Sequence, residues 1–334
     1  MGRVLQRAGR RTNLGLLAAL LGCLLTGLLA FAVAESPAAS VVTVAHGVLG
    51  LAVIALAPWK VVLARRTPAL RTASLVLAGV LVICLVGGFV QVFGGYGVRA
   101  GLSPMQVHVG ASVVLLPLLG WHVVRHRRPR LRRADLSRRQ LLRTAGFTLA
   151  AGSAYALAEG VGALAGSRSA ARAATGSHRL AADRIPATIW LLDRVPAIAP
   201  GIFEVLVDGR ALTPAGVDAV AVPVRARLDC TSGWYADATW SGVALDTLLD
   251  PDRLAEAEAI VVTSVTGYRR RFPVADAARL HLATRLEERL LRPPWGGPVR
   301  LVAPGRRGFW WVKWVRSIEL SPYAAGWQPP FPLQ

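Results

Sequence analysis

Five long apolar stretches in the first half of the chain constrain its fold more than any other feature. Residues 13–34 and 73–93 carry no charged side chain. Each is long enough to cross a bilayer core, which takes about 20 helical residues. Residues 41–64 hold His46 and Lys60, residues 104–124 hold His108 and His122, and residues 144–165 hold Glu159. One cleaved export signal accounts only for the first of these, so the pattern predicts a multi-pass membrane protein.

The location of charge sets the expected orientation. The formal net charge is +20, with 39 Lys+Arg against 19 Asp+Glu. Residues 1–165 hold 18 basic against 3 acidic side chains, and residues 166–334 hold 21 against 16. The excess therefore sits among the apolar segments, which argues against a nucleic-acid partner. Arg3, Arg7, Arg10 and Arg11 precede the first segment, Arg65, Arg66 and Arg71 follow the second, and nine arginines lie in 125–143. The alternate loops, 35–40 and 94–103, contain only Arg99. Because cytoplasmic loops retain Lys and Arg, the N-terminus is expected in the cytoplasm. Five spans then place residues 183–334 outside the cell membrane.

Within the arginine run, Ser137-Arg138-Arg139-Gln140-Leu141-Leu142-Arg143 resembles a twin-arginine export signal ahead of the fifth segment. That resemblance implies the twin-arginine export machinery as a partner, moving an already folded domain. Ala171-Arg172-Ala173 is a candidate cleavage site, and retention of the fifth helix is equally open. Residues 166–182 are small and polar, as expected of a linker. The expected layout is a four-helix membrane domain over 1–125, a basic segment with the fifth helix and linker over 126–182, and an extracytoplasmic domain over 183–334.

That last domain reads as α+β. Phe203–Val207 alternates and ends in the hairpin signal Asp208-Gly209. Strands are expected over 222–229, 259–265, 298–303 and 310–320, with a short helix from 242 and a longer helical stretch over 274–292. Cys23 and Cys84 lie in apolar runs and Cys230 stands alone, so no disulfide framework is available. A lone thiol at a strand end is either core packing or a ligand for a soft metal.

Further motifs decide between these. In order come V-x-G (Val207–Gly209), C-x-x-G-W (Cys230–Trp234), W-x-G-V-x-L (Trp240–Leu245), S-x-x-G-Y (Ser264–Tyr268), G-x-P-x-R-L-V-x-P-G (Gly296–Gly305) and V-K-W-V-x-x-I-E-L (Val312–Leu320). Together these resemble the molybdopterin-binding domain of the sulfite oxidase superfamily. The layout is similar to the bacterial monomeric branch, which includes the protein-methionine-sulfoxide reductase catalytic subunit, because no immunoglobulin-like dimerisation domain follows.

The resemblance implies a Mo-molybdopterin cofactor with Cys230 as the protein's ligand to molybdenum. It implies cofactor-binding roles for Ser264, Arg300, Trp311, Val312 and Lys313, and a catalytic neighbourhood including Tyr268 and Trp234. The substrate expected is a small oxyanion or a sulfoxide. Three departures bear on the substrate pocket: Thr266 where the family usually has Asp, Trp295 where it often has Asn or His, and an aromatic final loop (Phe309, Trp310, Trp311, Trp314). Arg225, Arg227, Arg269, Arg270 and Arg271 either attract an anion or are solvated surface charge.

An oxidoreductase needs an electron partner, and the apolar helices offer one. His46 and His108 lie near the same end of two parallel segments, as two axial ligands of a b-type haem require. Gly47, Gly50 and Gly110 are candidates for admitting a flat macrocycle. His122 lies 14 residues beyond His108, as in di-haem membrane cytochromes b, but the position matching it is Lys60. A membrane quinone is the alternative carrier. The expected function is a membrane-anchored molybdopterin oxidoreductase; the alternative is a non-catalytic membrane protein whose outer domain keeps the fold for partner binding.

Overall fold

The computed structural model describes residues 10–64, 71–125, 137–167, 171–187, 194–329 and 331. Arg3, Arg7, Arg65, Arg66 and the arginines of 127–133 lie outside these, as does the side chain of Lys60. The chain forms two compact units, Met1–His178 and Arg179–Gln334.

The first unit consists of helices α1 (Arg10–Ala32), α2 (Pro37–Ala64), α3 (Arg71–Phe89), α4 (Pro104–Arg125) and α5 (Arg138–Leu164). All five are long and apolar enough to cross a membrane. They form because nothing else satisfies backbone polar groups so completely along an apolar run. α1 packs on α2, α3 on α4, and α5 on α2. Leu16, Ala19, Ala52 and Val53 are buried together between α1 and α2. Outward-facing side chains are as apolar as the core: Leu25 on α1, Val82 on α3, Val124 on α4 and Leu149 on α5 are all more than half exposed. An exterior of that kind is matched to lipid.

α5 is longer than its apolar stretch and begins at the arginine pair, with Ser137 preceding it. It is built into the unit. A Cβ on Gly47 of α2 would lie 2.2 Å from the Tyr155 ring, so this glycine admits α5. Gly50 and Gly110 have nothing within 4 Å of a Cβ, so neither is closed by a neighbouring element. Residues 171–178, expected as a linker, are instead tied down. Arg172 pairs with Glu159 at 2.6 Å, Thr43 donates to the Ala174 carbonyl at 2.9 Å, and His178 Nε2 lies 2.5 Å from the Gln91 carbonyl.

The second unit is built on two sheets. One contains β3 (Val222–Cys230), β4 (Trp234–Ala244), β7 (His281–Leu286), β8 (Arg289–Leu290) and β9 (Arg300–Val302). β4 lies between β3 and β7; β7 also pairs with β9 and β8. The other runs in the order β2 (Arg210–Leu212), β1 (Val205–Val207), β10 (Val315–Ser321), β5 (Ala259–Ser264), β6 (Arg269–Pro273). β10 is parallel to β1 and antiparallel to β5. Short helices α6 (Pro214–Ala219), α7 (Leu245–Leu248) and α8 (Pro251–Glu256) connect strands. Val205, Ile260, Val262, Phe272, Leu282, Leu301 and Ile318 are fully buried and form the core.

Three local readings need correction. Residues 274–292 are a short 3-10 segment (Val274–Arg279) followed by β7 and β8, because the alternating His281–Leu286 run is taken up between β4 and β9. Residues 242–244, expected to begin a short helix, instead end a strand over 234–244 that pairs along all nine residues of β3, and the helix follows at Leu245–Leu248. Residues 310–314 precede β10, so Trp311, Val312 and Lys313 sit in a loop.

Candidate functional site

Cys230 is the last residue of β3, opposite Trp234 across a tight turn. Gly233 closes that turn at φ 94, a conformation that favours glycine, and donates to the Cys230 carbonyl at 3.1 Å. The thiol is buried, 3.2 Å from the Ser232 hydroxyl. A second loop seats the cysteine backbone. A Cβ on Gly308 would lie 3.0 Å from Cys230 Cα, so only glycine fits there without displacement. Beside these residues Asp229 and Arg307 meet at 2.6 Å, both almost fully buried. Sequence reasoning missed this pair; the visible signal was an acid and a base each adjoining a motif residue.

Arg300 is 2% exposed. Its guanidinium lies 4.9 Å over Trp240 and 5.5 Å over Trp311, and Nη1 donates to the Trp295 carbonyl at 2.8 Å. Burial lowers the Arg300 pKa to about 9, partly offset by the charge of Cys230. Burial, then the positive charge of Arg300, pushes Lys313 down to about 8, again offset by Cys230. The three side chains thus share one electrostatic environment. Arg300 Nε and Trp240 Nε1 are buried donors with no hydrogen-bond partner among the described residues. Cations and donors exceed acceptors here, which is how a site for an anionic group looks. An anionic, phosphate-bearing pterin fits that donor set, and a thiolate at Cys230 fits molybdenum.

The other expected residues divide. Val312 is fully buried and its carbonyl accepts from Leu301 at 2.8 Å. Trp311 Nε1 donates to the Arg306 carbonyl at 3.2 Å. Ser264 is buried, and its hydroxyl oxygen accepts from the Thr266 amide and hydroxyl at 3.2 and 3.1 Å. Thr266 therefore closes the turn where the family's Asp is usual. Trp234 is 1% exposed and packs as core.

The Tyr268 hydroxyl donates to the Phe309 carbonyl, tying it to the loop that seats Cys230. Burial pushes the Tyr268 pKa up to about 12, against the lowering effect of Arg270. Arg270 is buried, stacked 4.1 Å over Trp310 and 5.3 Å over Phe309, and was not distinguished from its neighbours by sequence. Arg227, by contrast, is held bidentately by Asp237 at 2.7 and 3.0 Å.

Within the first unit, His46 of α2 and His108 of α4 face one another, ring centroids 5.8 Å apart and planes at 88°. Thr26 Oγ1 donates to the Gly22 carbonyl at 2.7 Å. The same oxygen lies 3.0 Å from His46 Nδ1, and His46 also donates to the Cys23 carbonyl. His108 Nδ1 lies 2.7 Å from the Cys84 carbonyl and likewise donates. A main-chain carbonyl thus lies at each ring, with the Thr26 hydroxyl beside His46 and the Cys84 thiol 3.5 Å from His108 Nδ1. Two facing imidazoles suit a shared Lewis acid. Gly27 and Gly88 leave room for the rings: a Cβ at each would lie 3.3 Å from His46 Cε1 and 2.9 Å from His108 Nδ1. Among the described residues, no group of three or more His, Cys, Asp or Glu side chains is placed to hold a metal ion.

Residues 218–326 match the family described as oxidoreductase molybdopterin binding domain. The second unit therefore carries an oxidoreductase domain of molybdopterin-binding type. Among solved structures, the sulfane dehydrogenase SoxCD from Paracoccus pantotrophus is similar at 21% identity and a TM-score of 0.35. The similarity covers 39% of this chain and 41% of that one, so the chain spans about two fifths of its length. No curated protein matches.

Proposed function

We propose that this protein is a membrane-anchored molybdopterin-dependent oxidoreductase that transfers an oxygen atom at its outer domain and exchanges electrons through its helices. The observation that carries the reading is the buried thiol of Cys230 sharing its environment with Arg300 and Lys313, beside two donors that lack acceptors. Molybdenum held by a pterin dithiolene supplies oxygen-atom transfer coupled to a two-electron change. Cys230 contributes the protein thiolate. Arg300 and Lys313 hold the negative charge of the cofactor, with Trp240, Ser264, Trp311 and the Val312 main chain around it. Asp229, Arg307 and Gly308 fix the cysteine backbone. Tyr268 and Arg270 border the substrate approach and favour a small oxyanion or sulfoxide.

His46 and His108 would hold a b-type haem, which would supply one-electron exchange with a membrane quinone or another carrier. The arginine distribution supports a cytoplasmic N-terminus and an extracytoplasmic second unit, delivered folded by the twin-arginine machinery.

The test is cofactor analysis of the purified full-length chain. The expected result is about one molybdenum and one pterin per chain. In Cys230→Ser, X-ray absorption at molybdenum should show one sulfur scatterer fewer. A natively expressed preparation free of metal and pterin would leave a non-catalytic partner-binding domain as the correct reading.

A further inference from the structure

We propose that Gly296 and Trp314 are positioning residues, and that together they hold the Lys313 ammonium where the negative charge of the cofactor binds. The proposal rests on the molybdopterin reading above. Both residues belong to the ordered motifs, G-x-P-x-R and V-K-W-V, and neither carries a charge of its own. Lysine is rare in this chain: Lys60 and Lys313 are the two lysines among 39 basic side chains. Lys313 is half-buried, and it interacts with the charges of Arg300 and Cys230. A lysine is a point charge on a flexible stem, so the stem must be fixed for the charge to be placed.

Trp314 has φ 51, a left-handed conformation that a bulky side chain rarely adopts. It persists because the residue is tied at every polar group. Its amide donates to the Gly296 carbonyl at 3.0 Å, its carbonyl accepts from Val265 at 2.8 Å, and Nε1 donates to the Pro293 carbonyl at 2.7 Å. In an unbroken strand Lys313 would share a face with Val315, which is fully buried in the core. The left-handed turn at Trp314 breaks that alternation just before β10 begins. Gly296 supplies the other half of the arrangement. Its own φ is 94, and a Cβ there would lie 2.8 Å from Lys313 Cγ, 2.9 Å from Cβ and 3.1 Å from Cα. The lysine stem therefore lies directly on the glycine backbone. A side chain at 296 displaces the root of that stem, and not only its flexible tip.

The experiment uses full-length holoprotein in detergent and has two readouts. One is the rate of pterin release, followed by pterin fluorescence. The other is labelling of Lys313 by an amine-reactive acylating reagent, read by peptide mass. In wild type the cofactor should protect Lys313 from the label. Gly296→Ala should expose it and speed release about tenfold, the loss expected when one charge-assisted contact is misplaced. Trp314→Phe removes the Nε1 donor, keeps a ring and should act in the same direction. Lys313→Met removes the charge and keeps the stem. Adding Gly296→Ala or Trp314→Phe to it should then speed release no further, whereas a purely structural role makes the effects add. Additive effects, or full protection of Lys313 in Gly296→Ala, overturn the positioning role and leave the cofactor reading intact. If Gly296→Ala fails to load cofactor, Trp314→Phe and its pair with Lys313→Met decide by the same criteria. A wild type that carries no pterin, or whose Lys313 is labelled equally with and without it, overturns the cofactor reading of this lysine and the proposal with it.

Discussion

Cys230 is held from two directions, by the Gly233 turn on its own hairpin and by the Gly308 loop against its Cα. Around it the protein keeps positive charge in a place that would be costly if nothing negative came to share it. Lys313 makes this measurable. Its folded pKa of about 8 lies below the ordinary 10.5, so above pH 8 the unfolded chain binds the proton that the folded chain has lost. Stability of the cofactor-free protein should therefore rise with pH from about 8 to 9.5, approaching 1.4 kcal/mol per pH unit. Thermal unfolding of full-length chain from a host unable to make the pterin tests this. Lys313→Met should flatten the rise, and so should cofactor loading, because a bound anion keeps the lysine charged. A rise that persists unchanged in Lys313→Met would show that another group is responsible. The thiol, the Arg of P-x-R and this lysine were legible in the sequence as motif positions. Trp240 and the Asp229–Arg307 pair were not, since their significance lies in burial and contact.

Among the elements, α5 shows most clearly what a local pattern omits. The sequence presents it as an arginine pair ahead of a moderately apolar run, equally suited to a cleaved signal and to an anchor. The structure packs Tyr155 into the space left by Gly47 and pairs Glu159 with Arg172, inside the candidate cleavage motif. Cleavage after 173 would instead leave the Thr43–Ala174 and His178–Gln91 hydrogen bonds joining two separate pieces. The expected intact mass of the purified protein therefore includes residues 138–171; a mature N-terminus at 174 would contradict it. Gly47→Val should separately destabilise the α2–α5 packing, because the new side chain would run into the Tyr155 ring. β7 carries the opposite lesson. Its residues sit in a stretch with many helix formers, yet pairing between β4 and β9 decides its conformation. Register across strands overrides propensity whenever the neighbours are already in place.

For the whole molecule, five helices long and apolar enough to cross a membrane and an oxidoreductase domain are carried on one chain. Protease added to spheroplasts should remove the 183–334 domain and leave the helices, whereas inside-out vesicles should protect it. The reverse pattern would overturn the orientation argued from arginine placement. Alone, the sequence determined the five long apolar helices and an oxidoreductase domain of molybdopterin-binding type after them. These are written in runs of apolar residues and short ordered motifs, where the physical cause is local. Tertiary structure alone decided that His46 and His108 face one another, and that Arg300 and Lys313 come close enough to Cys230 to share its electrostatic environment. Those facts depend on atoms brought together from distant points of the chain, and no spacing along it encodes them.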